Sequence, residues 1–382
     1  MDPKDFSETS PGRVLRTSQG YWAFIPNQLP PSINWSAPLI SALGEAERNL
    51  GRLASLADTL PSAHIMARPF TRREAVLSSR IEGTRASFVD LYRYESTQLS
   101  PLETPSDVKE VHNYVRALDY GLKRLDELLV SLRLIREMHG ILMEGVHGNY
   151  LTPGEFRRSQ NWIGIPGSTL ENATMVPPPV DEMHTALDGL QKFIHAPSEI
   201  PQLVRAGMIH YQFEAIHPFL DGNGRVGRLL VILLLVQWGL ISQPLLYLSA
   251  FFEAHRLDYY NHLLRVSQRG EWEGWLVFFL MGVSSQAQDA ITRIERLGKL
   301  RTAYQERLRS ERAAERLFQT LDVLFERPIL NIRQLEAALD VPYRTAQRYV
   351  ERLVKIGILR EVTGRSRNRL YRAEEILRAL EE

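Results

Sequence analysis

His217-Pro-Phe-Leu-Asp-Gly-Asn-Gly-Arg-Val-Gly-Arg228 lies between an apolar-periodic segment at residues 203–216 and an apolar run at residues 229–238. A histidine, a carboxylate, a Gly-Asn-Gly turn and two arginines fall close together and run straight into a helix start. Glycines let backbone N–H groups approach phosphate oxygens, and a helix N-terminus favours negative charge. In this setting Asp221 is the candidate to hold Mg²⁺ against those oxygens, Arg225 and Arg228 to grip them, and His217 to act as a base near neutral pH. The bland alternative is a loop whose glycines only turn the chain and whose charges are solvated. The density of complementary groups argues against it.

At 382 residues, with 44% hydrophobic and 24% charged residues, the chain has room for two or three domains and a substantial core. It contains no cysteine, which excludes disulfides, thiolate zinc sites and cysteine nucleophiles. The first residues lack a basic-then-apolar leader pattern, and no apolar run approaches membrane-spanning length, so a cytoplasmic location without membrane contact is expected. The formal net charge of +1 hides an asymmetry. Residues 341–372 carry nine Lys/Arg against only Glu351 and Glu361, leaving the rest of the chain net negative. Such a split points to an anion-facing end.

Along the chain, residues 1–37 read as an extended arm that packs through Tyr21, Trp22, Phe24 and Trp35. Helices are expected over 38–56 and from about 65 to 82, the second stopping at Gly83. Helical pattern resumes at 107–129 and 131–143. Residues 150–180 are proline-rich and non-helical; 156–165 and 173–176 read as a β-hairpin flap. Helices follow at 180–194, 203–216, 245–255, 259–266 and 272–283, then a long mixed-charge connector helix over 284–312. From about residue 313, three short helices precede two strands at 358–362 and 369–372, with Pro342 near the start of the third helix and Gly357 past its end.

The opening stretch matches at every fixed position the signature His-x-Phe-x-Asp/Glu-Gly-Asn-Gly-Arg-x-x-Arg, and so resembles the Fic (Fido) family of nucleotidyl transferases. Pro153-Gly-Glu-Phe-Arg157, Asn161-Trp-Ile-Gly164 and Leu246-Tyr-Leu-Ser249 extend the resemblance over residues 65–285 or so. It implies a mostly α fold: a Fic helical core at 107–285 with a β-hairpin flap, an N-terminal arm and inhibitory region at 1–106, a connector at 286–312, and a winged helix-turn-helix at 313–382. It further implies AMP transfer from Mg-ATP to a Ser, Thr or Tyr hydroxyl of a target protein. His217 would be the base, and Asp221 would hold Mg²⁺. Gly222, Asn223 and Gly224 would form the anion hole, with Val226 and Gly227 in the same nucleotide-binding run. Arg225 and Arg228 would take the β- and γ-phosphates. His255 stands where family members often carry Asn, so it is the candidate base or ribose contact, with Tyr247, Tyr259 and Tyr260 as neighbours.

Ser78-Ser-Arg-Ile-Glu82-Gly83 is similar to the family's inhibitory motif, Ser/Thr-x-x-x-Glu-Gly/Asn. A bidentate pair between Glu82 and Arg228 would deny that guanidinium to the γ-phosphate and leave ATP misaligned. The flap is expected to receive a target segment as an added strand. In the C-terminal module, Tyr343, Arg344, Gln347 and Arg348 would face a DNA major groove, and Arg365, Arg367 and Arg369 the phosphates. Two alternatives stay open: a hydrolase in which Glu82 aligns water to remove AMP, and a DNA-binding regulator whose core only senses nucleotide. A homodimer is a further expectation with no residue pattern of its own.

Overall fold

A computed structural model of the chain describes residues 1–59, 63–97, 105–146, 152–165, 167–310, 315–364 and 368–381. The fold is mostly helical. Its N-terminal arm is a hairpin, with β1 (Gly12–Arg16) antiparallel to β2 (Trp22–Pro26) in the register Val14↔Phe24. A turn closed by Thr17 N–H on the Tyr21 carbonyl at 2.8 Å makes the pairing, and Gly20 supplies a φ of +93° there. Phe24 is buried as expected, whereas Trp35 is 42% exposed and anchors nothing.

Helices α1 (Ala37–Thr59), α2 (Ala63–Ile81), α3 (Phe88–Thr97), α4 (Ser106–Arg124) and α5 (Leu132–Leu142) precede the flap. The sequence pattern leaves α3 unmarked. Its start is fixed by Ser87, which exchanges hydrogen bonds with Asp90. After the flap come α6 (Val180–His195), α7 (Gln202–Ile216), α8 (Asn223–Gln237), α9 (Ser249–Ala254) and α10 (Arg256–Arg269). Residues 272–283 and the expected connector form one helix, α11 (Trp272–Ser310), along which α1 lies. Buried residues continue past the expected break, including Ala287, Ile291 and Ile294, so nothing in the packing ends the helix at residue 284.

Helices α7 and α8 pack on each other at the centre and are buried on nearly every face. A helix apolar all round belongs inside a protein, and the two hold their connecting loop on a rigid base. Around them α4, α5, α6 and α11 complete the core. Gly121 marks the closest approach of α4, since an added Cβ would stand 2.6 Å from Met138 Sδ and 3.2 Å from Leu233. Among the described residues no helix is long and apolar enough to cross a membrane.

The flap differs from the expected hairpin. Its only described pairing is the bridge Ile163↔Met175, with N–H···O distances of 2.8 and 3.0 Å. Pro177, Pro178 and Pro179 lack the donors to extend the ladder, and the buried Arg157 side chain takes the Pro178 carbonyl at 2.5 Å.

The C-terminal part comprises α12 (Glu315–Glu326), β3 (Ile329–Leu330), α13 (Ile332–Leu339), α14 (Tyr343–Lys355), β4 (Arg360–Glu361), β5 (Tyr371–Arg372) and α15 (Glu374–Glu381). Its three strands form an antiparallel sheet in the order β3-β5-β4, one strand more than the sequence pattern suggests. Arg365 and Arg367 lie outside the described residues. Gly121→Val should overfill the α4 crossing and destabilise the protein by about 1–3 kcal/mol, read as a lower urea midpoint with an unchanged m-value.

Candidate functional site

The site begins where α7 stops. His217 is the C-cap of that helix and adopts φ 50°, ψ 61°, a left-handed conformation uncommon for any residue but glycine or asparagine. Such a conformation persists only when its surroundings impose it. Here the His217 carbonyl is gripped by Arg157 Nε at 3.0 Å and by Asn161 Nδ2 at 3.0 Å. Its Nδ1–H donates to the Glu214 carbonyl at 3.2 Å, which leaves the Nε2 lone pair free. Burial pushes the imidazole down to about 4, a fall that Arg157 aids and that Glu82 and Asp221 oppose. His217 is therefore neutral at physiological pH and able to accept a proton.

The following loop is fixed from inside. Asn223 closes it by accepting Phe219 N–H and donating to the Phe219 carbonyl, both at 2.8 Å. Gly222 caps α8 with φ +80° and no side-chain hydrogen bond, so the first N–H groups of α8 lack helical partners. A buried His139 stacks on Phe219 with ring centroids 3.7 Å apart. It accepts Gly154 N–H at Nδ1 and donates from Nε2 to the Asp221 carbonyl at 3.1 Å. That tautomer needs a neutral ring, and burial holds His139 at about 4. The Asp221 carboxylate points outward, 42% exposed.

Arg225 differs from its expected role. Its guanidinium is turned into the core, 2% exposed, and bonds Glu110 Oε2 at 2.9 Å, with Asp221 Oδ1 at 3.5 Å. So placed, the side chain braces Asp221 and the loop from beneath. The buried Glu110 is the partner that fixes it, and the sequence pattern gives Glu110 no special mark.

Arg228, one helical turn later, is the contested group. Its Nη2 bonds Glu82 Oε1 at 2.6 Å and the Ser78 carbonyl at 2.9 Å, while Nε bonds Ser78 Oγ at 2.8 Å. The expected bidentate carboxylate clamp is therefore a shared one, with a single Glu82 oxygen and two Ser78 oxygens. Burial works against the guanidinium's charge, but Glu82 prevails and its pKa is raised. Arg228 Nη1 is buried with no hydrogen-bond partner. An added Cβ on Gly224 would fall 2.2 Å from Glu82 Oε1, so Gly224 also makes room for the clamp. The clamp's helix is anchored by Glu74, a buried carboxyl that accepts from Tyr114 OH at 3.0 Å and Ser249 Oγ at 2.5 Å.

Other expected site residues are placed elsewhere. Val226 is wholly buried in the core, and the Gly227 carbonyl accepts from His210. His255 is exposed at the α9–α10 junction, with Nδ1 on the Phe251 carbonyl at 2.9 Å and its ring on Phe251 and Phe278. Tyr260, by contrast, feels both Glu82 and Arg228, and burial followed by Glu82 raises its pKa. Glu214 was missed as well: burial pushes it up to about 8, and its Oε1 has no hydrogen-bond partner beside Gly227. Arg157 and Arg158 look alike in sequence, yet one is fully buried and the other 86% exposed.

Residues 40–123 match the Fic/DOC family N-terminal model, and residues 129–235 match the Fic/DOC family model. The chain is 31% identical over 168 residues to the protein adenylyltransferase Fic of Aedes aegypti, covering 42% of this chain and 30% of that protein. It is 25% identical over 236 residues to the protein of the same name from Drosophila ananassae, covering 59% and 44%. The chain thus spans less than half the length of these relatives. Its fold is similar to that of a Fic family protein from Desulfovibrio desulfuricans G20, with a TM-score of 0.57 and 19% identity, covering 90% of this chain and 98% of that one.

His139, His210 and His217 are all held well below the usual histidine range, at about 4, 3 and 4. These three side chains therefore bind more protons in the unfolded chain than in the folded one as pH falls below about 6.5, an excess that Glu214, protonated in the folded chain, partly offsets. Thermal stability should drop steadily from about pH 6.5 to pH 4. His139→Gln should flatten that slope, and calorimetry across this range checks both.

Proposed function

Because the chain belongs to the Fic/DOC family, we propose that it is a protein adenylyltransferase. It would transfer AMP from ATP to a hydroxyl of a target protein and be restrained by its own Glu82. The observation that carries this reading is the single Arg228 guanidinium, gripped by Ser78 and Glu82 at the end of the phosphate-binding loop. The names of the curated relatives support the chemistry.

His217 Nε2 would take the proton of the acceptor hydroxyl as its oxygen attacks the α-phosphorus. The bond from that phosphorus to the β-bridging oxygen breaks, and diphosphate leaves with the electron pair. The unpaired N–H groups at the start of α8 would face the phosphate oxygens. Arg228, once free of Glu82, would hold the γ-phosphate and so align the chain of phosphates for attack. Arg225 would steady Asp221.

The donor set fits Mg²⁺. Asp221 offers one half-exposed carboxylate, and among the described residues no cluster of three acidic or histidine side chains could hold a metal by itself. A hard cation that keeps several waters and takes phosphate oxygens asks little more of a protein. When bound it would neutralise phosphate charge.

The flap would position the target. Trp162 and Ile165 are 42% and 77% exposed beside the Ile163↔Met175 bridge, and a target strand could add along this edge. We also read the C-terminal unit as a winged helix-turn-helix that faces DNA, on the strength of its helix and strand order and its basic α14. A cytoplasmic location accords with these partners.

Glu82→Gly should raise AMP transfer by about ten-fold or more, and His217→Ala should lower it by about 100-fold or more in that background. Incubation with α-labelled Mg-ATP and cell lysate, followed by intact-mass and peptide mapping, reads both. Equal incorporation by wild type and Glu82→Gly would sink the restraint. Loss of AMP removal from a modified target in Glu82→Gly would favour the hydrolase instead.

The low His217 value sets the pH profile. Removing Glu82 takes away a raising influence, so His217 stays neutral in the variant. Single-turnover transfer by Glu82→Gly should be flat from about pH 5.5 to 8, whereas an unperturbed histidine would lose half its activity near pH 6.5.

A further inference from the structure

The expected roles of α13 and α14 leave one contact unexplained. Asn331 and Gln334 form a capping box at the start of α13, in which Asn331 Oδ1 accepts Gln334 N–H at 2.8 Å and Gln334 Oε1 accepts Asn331 N–H at 3.0 Å. A capping box needs only the two side-chain oxygens. Here both amide NH₂ groups are also used, and they reach outside the unit. Asn331 Nδ2 donates to the Ser96 carbonyl at 2.6 Å, and Gln334 Nε2 donates to the Glu95 carbonyl at 3.1 Å. Those carbonyls belong to the last turn of α3, where helical geometry leaves acceptors without partners. The N-cap of α13 is thus at the same time the C-cap of α3.

Helix α3 is the element that follows the restraining motif. Only residues 82–87 separate the end of α2 from its first turn. Arg85 N–H is pinned by Asp107 at 2.7 Å, and Glu95 is tied back to α2 through Arg72 Nε at 2.9 Å. Ser96 Oγ adds a bond to the Ile329 carbonyl of β3 at 3.2 Å. Where α3 sits therefore decides where Glu82 can sit. The body of α2 is meanwhile fixed through Glu74 and Ser78, so the movable part is its last turn and the linker.

The other side of the C-terminal unit is an exposed basic face. Tyr343, Arg344, Arg348 and Lys355 lie on the outer side of α14, whose inner side buries Ala346, Val350 and Leu353. Arg333 of α13 stacks over Tyr343 at 5.7 Å, placing a second cation beside the exposed ring. Glu361, one of two acids in this region, is turned onto Thr363 and Gly364 N–H groups. Closely spaced cations with an exposed aromatic, on a chain otherwise net negative, complement the dense charge of a nucleic-acid duplex.

We infer that duplex DNA on the α14 face is an effector of the Glu82–Arg228 clamp, acting through the Asn331–Gln334 joint on α3. The inference rests on reading Glu82 as the restraint on Arg228 and the C-terminal unit as facing DNA. Its sign follows from the joint: a duplex that steadies the C-terminal unit also steadies α3 through the Asn331 and Gln334 contacts, and so holds the linker in the clamped arrangement. Linkage is reciprocal, so release of the clamp weakens the duplex.

The test uses the full chain and a mixed-sequence duplex of about 20 base pairs. Binding should weaken steeply as salt rises, and by about ten-fold or more in Arg344→Glu/Arg348→Glu. Saturating duplex should slow amide hydrogen exchange across residues 78–84 by about five-fold or more in the wild type. Asn331→Asp/Gln334→Glu keeps both capping oxygens but loses both NH₂ donors. It should still bind the duplex, more weakly for its two added negative charges, and at saturation show no change in exchange. A bound duplex that leaves wild-type exchange unmoved overturns the coupling, and so does an undiminished response in the double variant. Absence of salt-sensitive binding overturns the DNA reading and the proposal with it. Failure of the restraint itself is read separately, in the AMP-transfer assay of Glu82→Gly.

Discussion

A guanidinium that is 2% exposed cannot be left without acceptors, and whereas the buried Arg157 is met by carbonyl oxygens, Arg228 is met by a carboxylate. Taking such a charge out of water costs several kcal/mol, and removing the partner of a buried pair is destabilising because the remaining charge is stranded. Arg228 therefore has to be matched, and its position in the second turn of α8 gives it a carboxylate from α2 and, on the proposed reading, phosphate oxygens arriving at the loop. The uncommitted Nη1 shows that the clamp does not saturate it. Loss of the single Glu82 oxygen would leave the Ser78 contacts, which orient the guanidinium, in place.

Everything around this exchange is built to stay still. The left-handed His217 is held through its carbonyl by two side chains from the flap, and Asp221 through its carbonyl by His139. Arg225 and Glu110 lock the underside of the loop. In each case the group that would meet ligand is positioned by a residue that would not, and the positioning residue is buried. Preorganisation of this kind lets a small site work by orientation and charge alone.

The loop was legible in the sequence because its parts are contiguous: glycine freedom, a helix start and the charged groups fall in one stretch. The clamp was legible through the resemblance of residues 78–83 to the family's inhibitory motif; spacing alone puts Ser78 and Glu82 one turn apart and names no partner for them. What sequence reading missed is non-local. Arg157 and Arg158 have the same chemistry and neighbouring places, and only the fold decides which is buried. Glu110 and His139 lie on ordinary amphipathic helices and Glu214 on one buried nearly all round, and neither pattern separates a polar residue enclosed by the fold from one that faces water. Arg225 was assigned to phosphate for the same reason, since Glu110 is distant in sequence. The flap was overread as a hairpin because alternation alone does not reveal that the prolines and Arg157 stop its internal pairing at the Ile163↔Met175 bridge. In α11 two helices were read where there is one: the change to mixed charge at 284 suggested a separate connector helix, yet α1 supplies a partner surface along the continuous helix.

Burial also decides which part of the restraint can move. Ser78 and Glu74 are fully enclosed, the latter accepting from both Tyr114 and Ser249, so withdrawing the body of α2 would strand polar groups at considerable cost. Glu82 lies past the last buried turn, 31% exposed, next to a glycine with φ +103°. Its release needs only the final turn and the linker to α3 to relax. That places control in the six residues between α2 and α3, and whatever fixes the far end of α3 fixes their reach. Since the far end is capped by side chains from α13, the C-terminal unit is not a passive appendage to the helical core. Its seating is one of the boundary conditions on whether Arg228 meets a carboxylate or a phosphate.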